Sequence, residues 1–128
     1  MKVEIKKKKE IKLPSHCLSI TRGPDSQLYA ACVDGGVYLL DKKDKKDKIV
    51  SHDNFVSGVN VSNNVIVSAD YDGIIKWTAI DSRKEQRKIK AHKFWSWQSR
   101  VSPDSKMIGS VTGQYLAGGY KYEPFSET

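Results

Sequence analysis

Apolar positions in this chain come in short runs, each closed by turn-forming residues. Residues 65–69 read Val-Ile-Val-Ser-Ala, a β-branched run of the kind a buried strand needs. Asp72-Gly73 follows, and residues 74–80 supply the next run. Asp-Gly between two such runs is a strong hairpin signal, because glycine takes positive φ without steric cost. Residues 55–61 form a run before the turn formers Asn63-Asn64, and residues 88–90 give a shorter one after the polar stretch at 81–84. The earlier part of the chain repeats the order, with strand signals at 18–21, 28–33, 37–40 and 48–50. Residues 107–111 and 115–122 read as later strands around a Thr112-Gly113-Gln114 turn. Residues 82–92 lack an apolar face at helical spacing, so no amphipathic helix is predicted.

These signals recur with a period near forty residues. Pro24-Asp25-Ser26 returns as Pro103-Asp104-Ser105, with Asn63-Asn64 halfway between. Asp34-Gly35 returns as Asp72-Gly73, Asp41 as Asp81, and His52 as His92. An aromatic residue follows each repeated histidine at the same offset, Phe55 and Trp95. Several anchors sharing one period define a repeat protein with four strands per unit.

In these residues the chain resembles the WD-repeat family of β-propellers. Unit two carries Ser51-His52, Ser62-Asn63-Asn64, Asp72-Gly73 and Trp77; unit three carries Ala91-His92 and Ser102-Pro103-Asp104-Ser105. Unit one carries Gly23-Pro24-Asp25-Ser26, Asp34-Gly35 and Leu40-Asp41. The units depart from the family pattern: no glycine precedes either histidine, Leu40 stands for a tryptophan, and Thr78 takes the tryptophan position beside Trp77. The resemblance implies an all-β fold of four-stranded antiparallel propeller blades, in a single domain with units at about 14–50, 51–90 and 91–128. Residues 1–13 would be an outer strand or a basic N-terminal segment. That makes about two and a half blades, where a closed propeller has roughly 4–8. The expectation is a fragment of a larger propeller, completed by further blades of a longer chain or by further copies.

His52, Ser68, Asp72 and Trp77 form the leading constellation. A Ser-His-Asp set invites a hydrolase reading, but Ser68 lies mid-strand, away from any constrained turn that could present a nucleophile. The resemblance implies instead a structural hydrogen-bond network of these four residues, with His92 and Asp34 as the corresponding members of neighbouring units. No catalytic residue, cofactor or metal ligand is assigned, because the histidines are scattered and no phosphate loop with its lysine is present. Trp95 and Trp97 lie two apart, so a strand would place them on one face. With Arg100 and Tyr120 they are the candidate partner-binding residues. The resemblance implies a non-enzymatic scaffold for protein partners. Two other readings stand beside it: binding of nucleic acid or another anionic surface, and membership of a larger propeller enzyme whose active site lies outside this chain.

Charge changes that picture only in part. The 128 residues carry a formal net charge of +7 and a pI near 9.4. The excess is concentrated at 1–12, 42–48 and 83–93, which share one phase of the repeat beside the shortest strand signals. Lysine on outer edge strands discourages edge-to-edge pairing, so the clusters read as solvated blade rims. Cys17 and Cys32 sit in apolar surroundings and read as two buried free thiols. No run of apolar residues is long enough to span a membrane, and no secretory leader is recognisable, so a cytoplasmic location is expected.

Overall fold

The computed structural model describes residues 1–41, 43 and 45–113. Ten strands follow one another: β1 (Cys17–Arg22), β2 (Leu28–Cys32), β3 (Gly36–Leu40), β4 (Lys46–Ser51), β5 (Val56–Ser62), β6 (Val65–Asp70), β7 (Ile74–Ala79), β8 (Glu85–Lys90), β9 (Ser96–Val101) and β10 (Ile108–Thr112). A 3-10 turn at Pro24–Ser26 separates β1 from β2. The described residues are therefore all-β, built from antiparallel sheets of four, four and two strands, and among them no sheet closes on itself. Each four-stranded sheet is a meander, β1-β2-β3-β4 and β5-β6-β7-β8, with β9 and β10 as a hairpin. The strand expected at 115–122 lies outside the described residues. Among those described, no helix is long and apolar enough to cross a membrane.

Sheet stacking explains the unbroken apolar runs. Successive residues of a strand point to opposite faces. Tyr29 and Ala31 of β2 pack with Val37 and Val50 against Val56, Val59 and Ile66 of the second sheet. Ala30 and Cys32, which alternate with them along the strand, turn the other way into a cluster with Tyr38 and Leu40, covered by Ile11 and Leu13. The same division occurs in β6: Ile66 faces the first sheet, while Val67 and Ala69 pack with Ile75, Val101 and Ile108. Strands buried on both faces have no polar side to alternate with, so they read as continuous apolar stretches. Residues 1–13 contain no strand, and the N-terminal segment instead lays two apolar side chains on the exposed face of the first sheet.

The first strands of the sheets lie side by side, β1 against β5 and β5 against β9. Polar side chains tie them together. The Ser57 hydroxyl donates to the Ser96 carbonyl at 2.5 Å, and the Asn60 amide donates to the carbonyl and hydroxyl oxygens of Ser99 at 3.2 and 3.1 Å. On the opposite side of each meander, β4 and β8 are edge strands, and Lys43, Lys45, Lys46, Lys48 and the basic cluster at 83–93 fall on or beside them. Arg83 pairs with Asp47 across the two sheets, and the Arg87 guanidinium lies 5.0 Å from the Trp77 ring.

The hairpin glycines do more than turn the chain. Gly35 and Gly73 have φ of +79° and +72°. Their carbonyls accept the backbone N–H groups of His52 and His92, at 2.8 and 3.3 Å, in the segments leading to the following sheet. A Cβ at Gly73 would lie 2.4 Å from the carbonyl oxygens of both His92 and Phe94. Ser26, Asn64 and Ser105 also adopt positive φ, each in the first turn of its unit. Gly73→Ala is expected to cost about 2–4 kcal/mol through strain and the clash. Ser105→Gly should instead stabilise, by up to about 1 kcal/mol, by relieving a left-handed non-glycine position. Urea denaturation of the two variants tests both signs.

Candidate functional site

The repeat histidine of the second sheet is the centre of a buried polar chain. His52 Nδ1 donates to Asp70 Oδ2 at 2.7 Å, and His52 Nε2 pairs with Ser68 Oγ at 2.8 Å. Ser68 and Asp70 are two apart on β6, so the pleat places both on one face. Asp70 Oδ1 accepts the backbone N–H groups of Asp72 and Ile74, both at 2.9 Å, which closes the hairpin before β7. An ionised carboxylate only accepts, so Asp70 fixes Nδ1 as a donor; in the neutral ring Nε2 then accepts the Ser68 hydroxyl. Desolvation pushes the Asp70 carboxyl upward, but the His52 hydrogen bond and the two backbone donors outweigh it and hold the group below the usual carboxylate range.

This geometry corrects the expected membership. Asp72 is exposed and accepts from the Asn54 amide at 2.9 Å; Asp70 occupies the carboxylate position assigned to it. Asp72 lies past the strand end, in the turn, where its side chain no longer shares the face of Ser68. Trp77 is also outside the network: it packs with the second apolar interface on one side and Arg87 on the other. The buried side chain beside it is Thr78. The i, i+2 pairing of Ser68 with Asp70 was the signal available in the sequence for the correct carboxylate.

The neighbouring units fill the same place differently. In the third sheet His92 Nε2 pairs with Ser110 Oγ at 2.8 Å, and Ser110 meets the Ser96 hydroxyl at 3.1 Å. His92 Nδ1 has no partner among the described residues, and Thr112 stands where Asp70 would correspond. In the first sheet the corresponding residues are Ala30 and Cys32, both fully buried, with Leu13 against them. Asp34 acts locally: it accepts from the Gly36 N–H at 3.0 Å and the Tyr38 hydroxyl at 2.5 Å. Burial raises its carboxyl, yet these bonds and the Lys48 charge leave it below its ordinary value. The same bond pushes the Tyr38 hydroxyl up to about 12, with burial adding to the effect.

Although Asp70, His52 and Ser68 have the bonding order of a hydrolytic triad, Ser68 is 0% exposed and Asp70 2%. A nucleophile must reach its substrate, and this hydroxyl cannot. The chain of bonds is a structural strut between the β4–β5 connection, which carries His52, and β6. Among the described residues no group of His, Cys, Asp and Glu could hold a metal ion.

Accessible chemistry lies at the first strands instead. Phe55, Tyr71, Trp95 and Trp97 form a continuous aromatic row, with successive ring centroids 5.5, 5.0 and 5.7 Å apart. Trp97 is 56% exposed and forms the open end of the row. Its side chain borders an open cavity of about 400 Å³ lined by Leu18 and Ile20 of β1, Ser57 of β5, the Tyr71 ring and Arg100. Arg100 is exposed and donates to the Ser99 carbonyl at 2.8 Å, which steadies its guanidinium. Trp95, Trp97 and Arg100 thus share one region, while Tyr120 lies outside the described residues. Phe55, Tyr71, Leu18 and Ile20 complete it; only Phe55 had a sequence signal, as the repeat partner of Trp95.

Asp70→Ala should cost about 3–5 kcal/mol by leaving His52 without its buried partner, whereas Asp72→Ala should cost less than about 1 kcal/mol. The Asp70 carboxyl lies below its unfolded value of about 3.9. Its contribution is therefore complete above about pH 4 and is lost as pH falls through the lower folded value. Asp70→Asn should lower stability at pH 7 and remove that part of the acid dependence, as read from thermal melts at pH 3–7.

No protein-family model matches this chain, and no curated protein matches it.

Proposed function

We propose that this chain is an arc of a WD-repeat β-propeller and serves as a non-catalytic scaffold that takes a protein partner at the aromatic row. Support for the propeller reading comes from the period near forty residues, the two four-stranded meanders and the side-by-side first strands. The carrying observation for function is the exposed Trp97 beside Arg100, over a cavity shared by β1, β5 and β9. Tryptophan and arginine dominate binding hot spots, because each offers a large contact area with a directed polar group. An exposed row of this kind has apolar surface to bury and an exposed cation to orient an acidic or carbonyl-rich segment. Leu18 and Ile20 are 44% and 59% exposed and extend the apolar area across β1.

The lysine-rich outer strands favour a second reading, contact with nucleic acid or another polyanion through the rims. The two surfaces lie on opposite sides of each meander, so they separate experimentally. Peptides selected from a displayed library on the immobilised chain should bind with affinity reduced roughly 10–30-fold by Trp97→Ala or Arg100→Ala, and little changed by Lys88→Ala. Loss of binding in Lys88→Ala, with retention on heparin that falls steeply with salt, would replace the first reading by the second.

A further inference from the structure

Cys17 and Cys32 are Cα partners across β1 and β2. The Val33 N–H donates to the His16 carbonyl at 3.0 Å, just outside this pair, so Cys17 and Cys32 occupy a non-hydrogen-bonded position of the ladder. Such pairs have Cα atoms about 4.5 Å apart and their side chains on the same face, inside the roughly 4.4–6.8 Å range that a disulfide spans. The ladder is irregular between Cys17 and Ser19, which gives this end of β1 the freedom to adjust. The two thiols are also unlike each other. Cys17 is exposed, contrary to the expectation from its apolar neighbours, because it starts a strand whose outward residues meet solvent. Cys32 is fully buried among Ala30, Tyr38 and Leu40.

We propose that Cys17 and Cys32 form a thiol–disulfide site, oxidised by a small-molecule disulfide such as oxidised glutathione, that staples β1 to β2. In the first step the Cys17 sulfur attacks one sulfur of the glutathione disulfide. A Cys17–glutathione bond forms, the glutathione S–S bond breaks, and one glutathione leaves with the Cys17 proton. In the second step the Cys32 sulfur attacks Cys17 Sγ, the Cys17–Cys32 bond forms, and the second glutathione leaves with the Cys32 proton. Two protein thiols are oxidised and one glutathione disulfide is reduced to two thiols. Exposure sets the order, since only Cys17 is open to the reagent. Burial pushes the Cys32 thiol up to about 11, with the adjacent Cys17 and Asp34 adding to the rise and Lys48 opposing it. Cys32 is therefore poor at first attack and acts when Cys17 has already brought the mixed disulfide to it.

The test treats the reduced full chain with oxidised glutathione and reads intact mass, thiol titre and the linked peptides under non-reducing conditions. The expected product is a monomer that has lost two hydrogens, with a Cys17–Cys32 link and a Tm raised by about 5–15 °C. Cys32→Ala should stop at the mixed disulfide on Cys17, and Cys17→Ser should not react while folded. Wild-type protein that keeps both thiols, stops at glutathionylated Cys17 or links only between chains would overturn the proposal. So would a linked product with an unchanged or lower Tm. The wild type and Cys17→Ser carry the test even where the buried Cys32→Ala change impairs folding.

Discussion

Strands β2 and β6 each bury side chains on both faces, and the rest of the architecture depends on that constraint. A strand with two apolar faces needs a sheet or segment on either side. The second sheet meets this need for the odd-numbered positions Tyr29 and Ala31, and the N-terminal segment meets it for Ala30 and Cys32. For β6 the two coverings are the first and third sheets. Stacking is thus not a late docking of finished parts: removing one sheet would expose fully buried residues such as Tyr29 and Ile66. At roughly 25 cal/mol per Å² of apolar surface, exposing even two large side chains consumes a substantial share of a small domain's stability.

Close stacking leaves little water for backbone and side-chain polar groups at the seams, so each seam carries matched polar partners. Ser57 and Asn60 meet Ser96 and Ser99 between first strands. His52 joins Ser68 to Asp70 inside the second sheet. Three units answer the same local demand with different chemistry. The first fills the space with Leu13, Ala30 and Cys32; the second uses a complete His–Ser–Asp chain; the third keeps His92 and Ser110. Apolar packing and a fully bonded polar set are both workable solutions at such a position, because the cost falls on unpaired buried groups and not on polarity itself.

That division of labour separates the buried polar chain from the surface proposed for recognition. The residues with the most chemically suggestive bonding order, Asp70, His52 and Ser68, are sealed from solvent and hold the hairpin to its sheet. Trp97 and Arg100, by contrast, are exposed and lie outside the apolar core clusters. Charge follows the same logic. Lysine and arginine gather at β4 and β8, where unpaired strand edges would otherwise invite another chain.

Local chemistry made much of this legible in advance. Strand positions, the hairpin glycines at 35 and 73 and the repeat period all follow from short-range preferences: β-branched runs extend, Asp-Gly turns, and polar Asn, Ser and Asp residues end strands. The placement of the later two basic clusters at the outer edges β4 and β8 was readable for the same reason, since they sit at one phase of the repeat, whereas the cluster at 1–12 forms no strand. Only the tertiary structure decided which carboxylate meets His52, which cysteine is open to solvent and how far Trp97 is exposed. Those outcomes turn on the pleat and on the distance between sheets. A two-residue shift from Asp72 to Asp70 keeps the composition and the motif but moves the carboxylate from the turn onto the buried face of β6. Spacing along the chain carries no record of which face a neighbouring sheet will cover; that is set when the sheets stack.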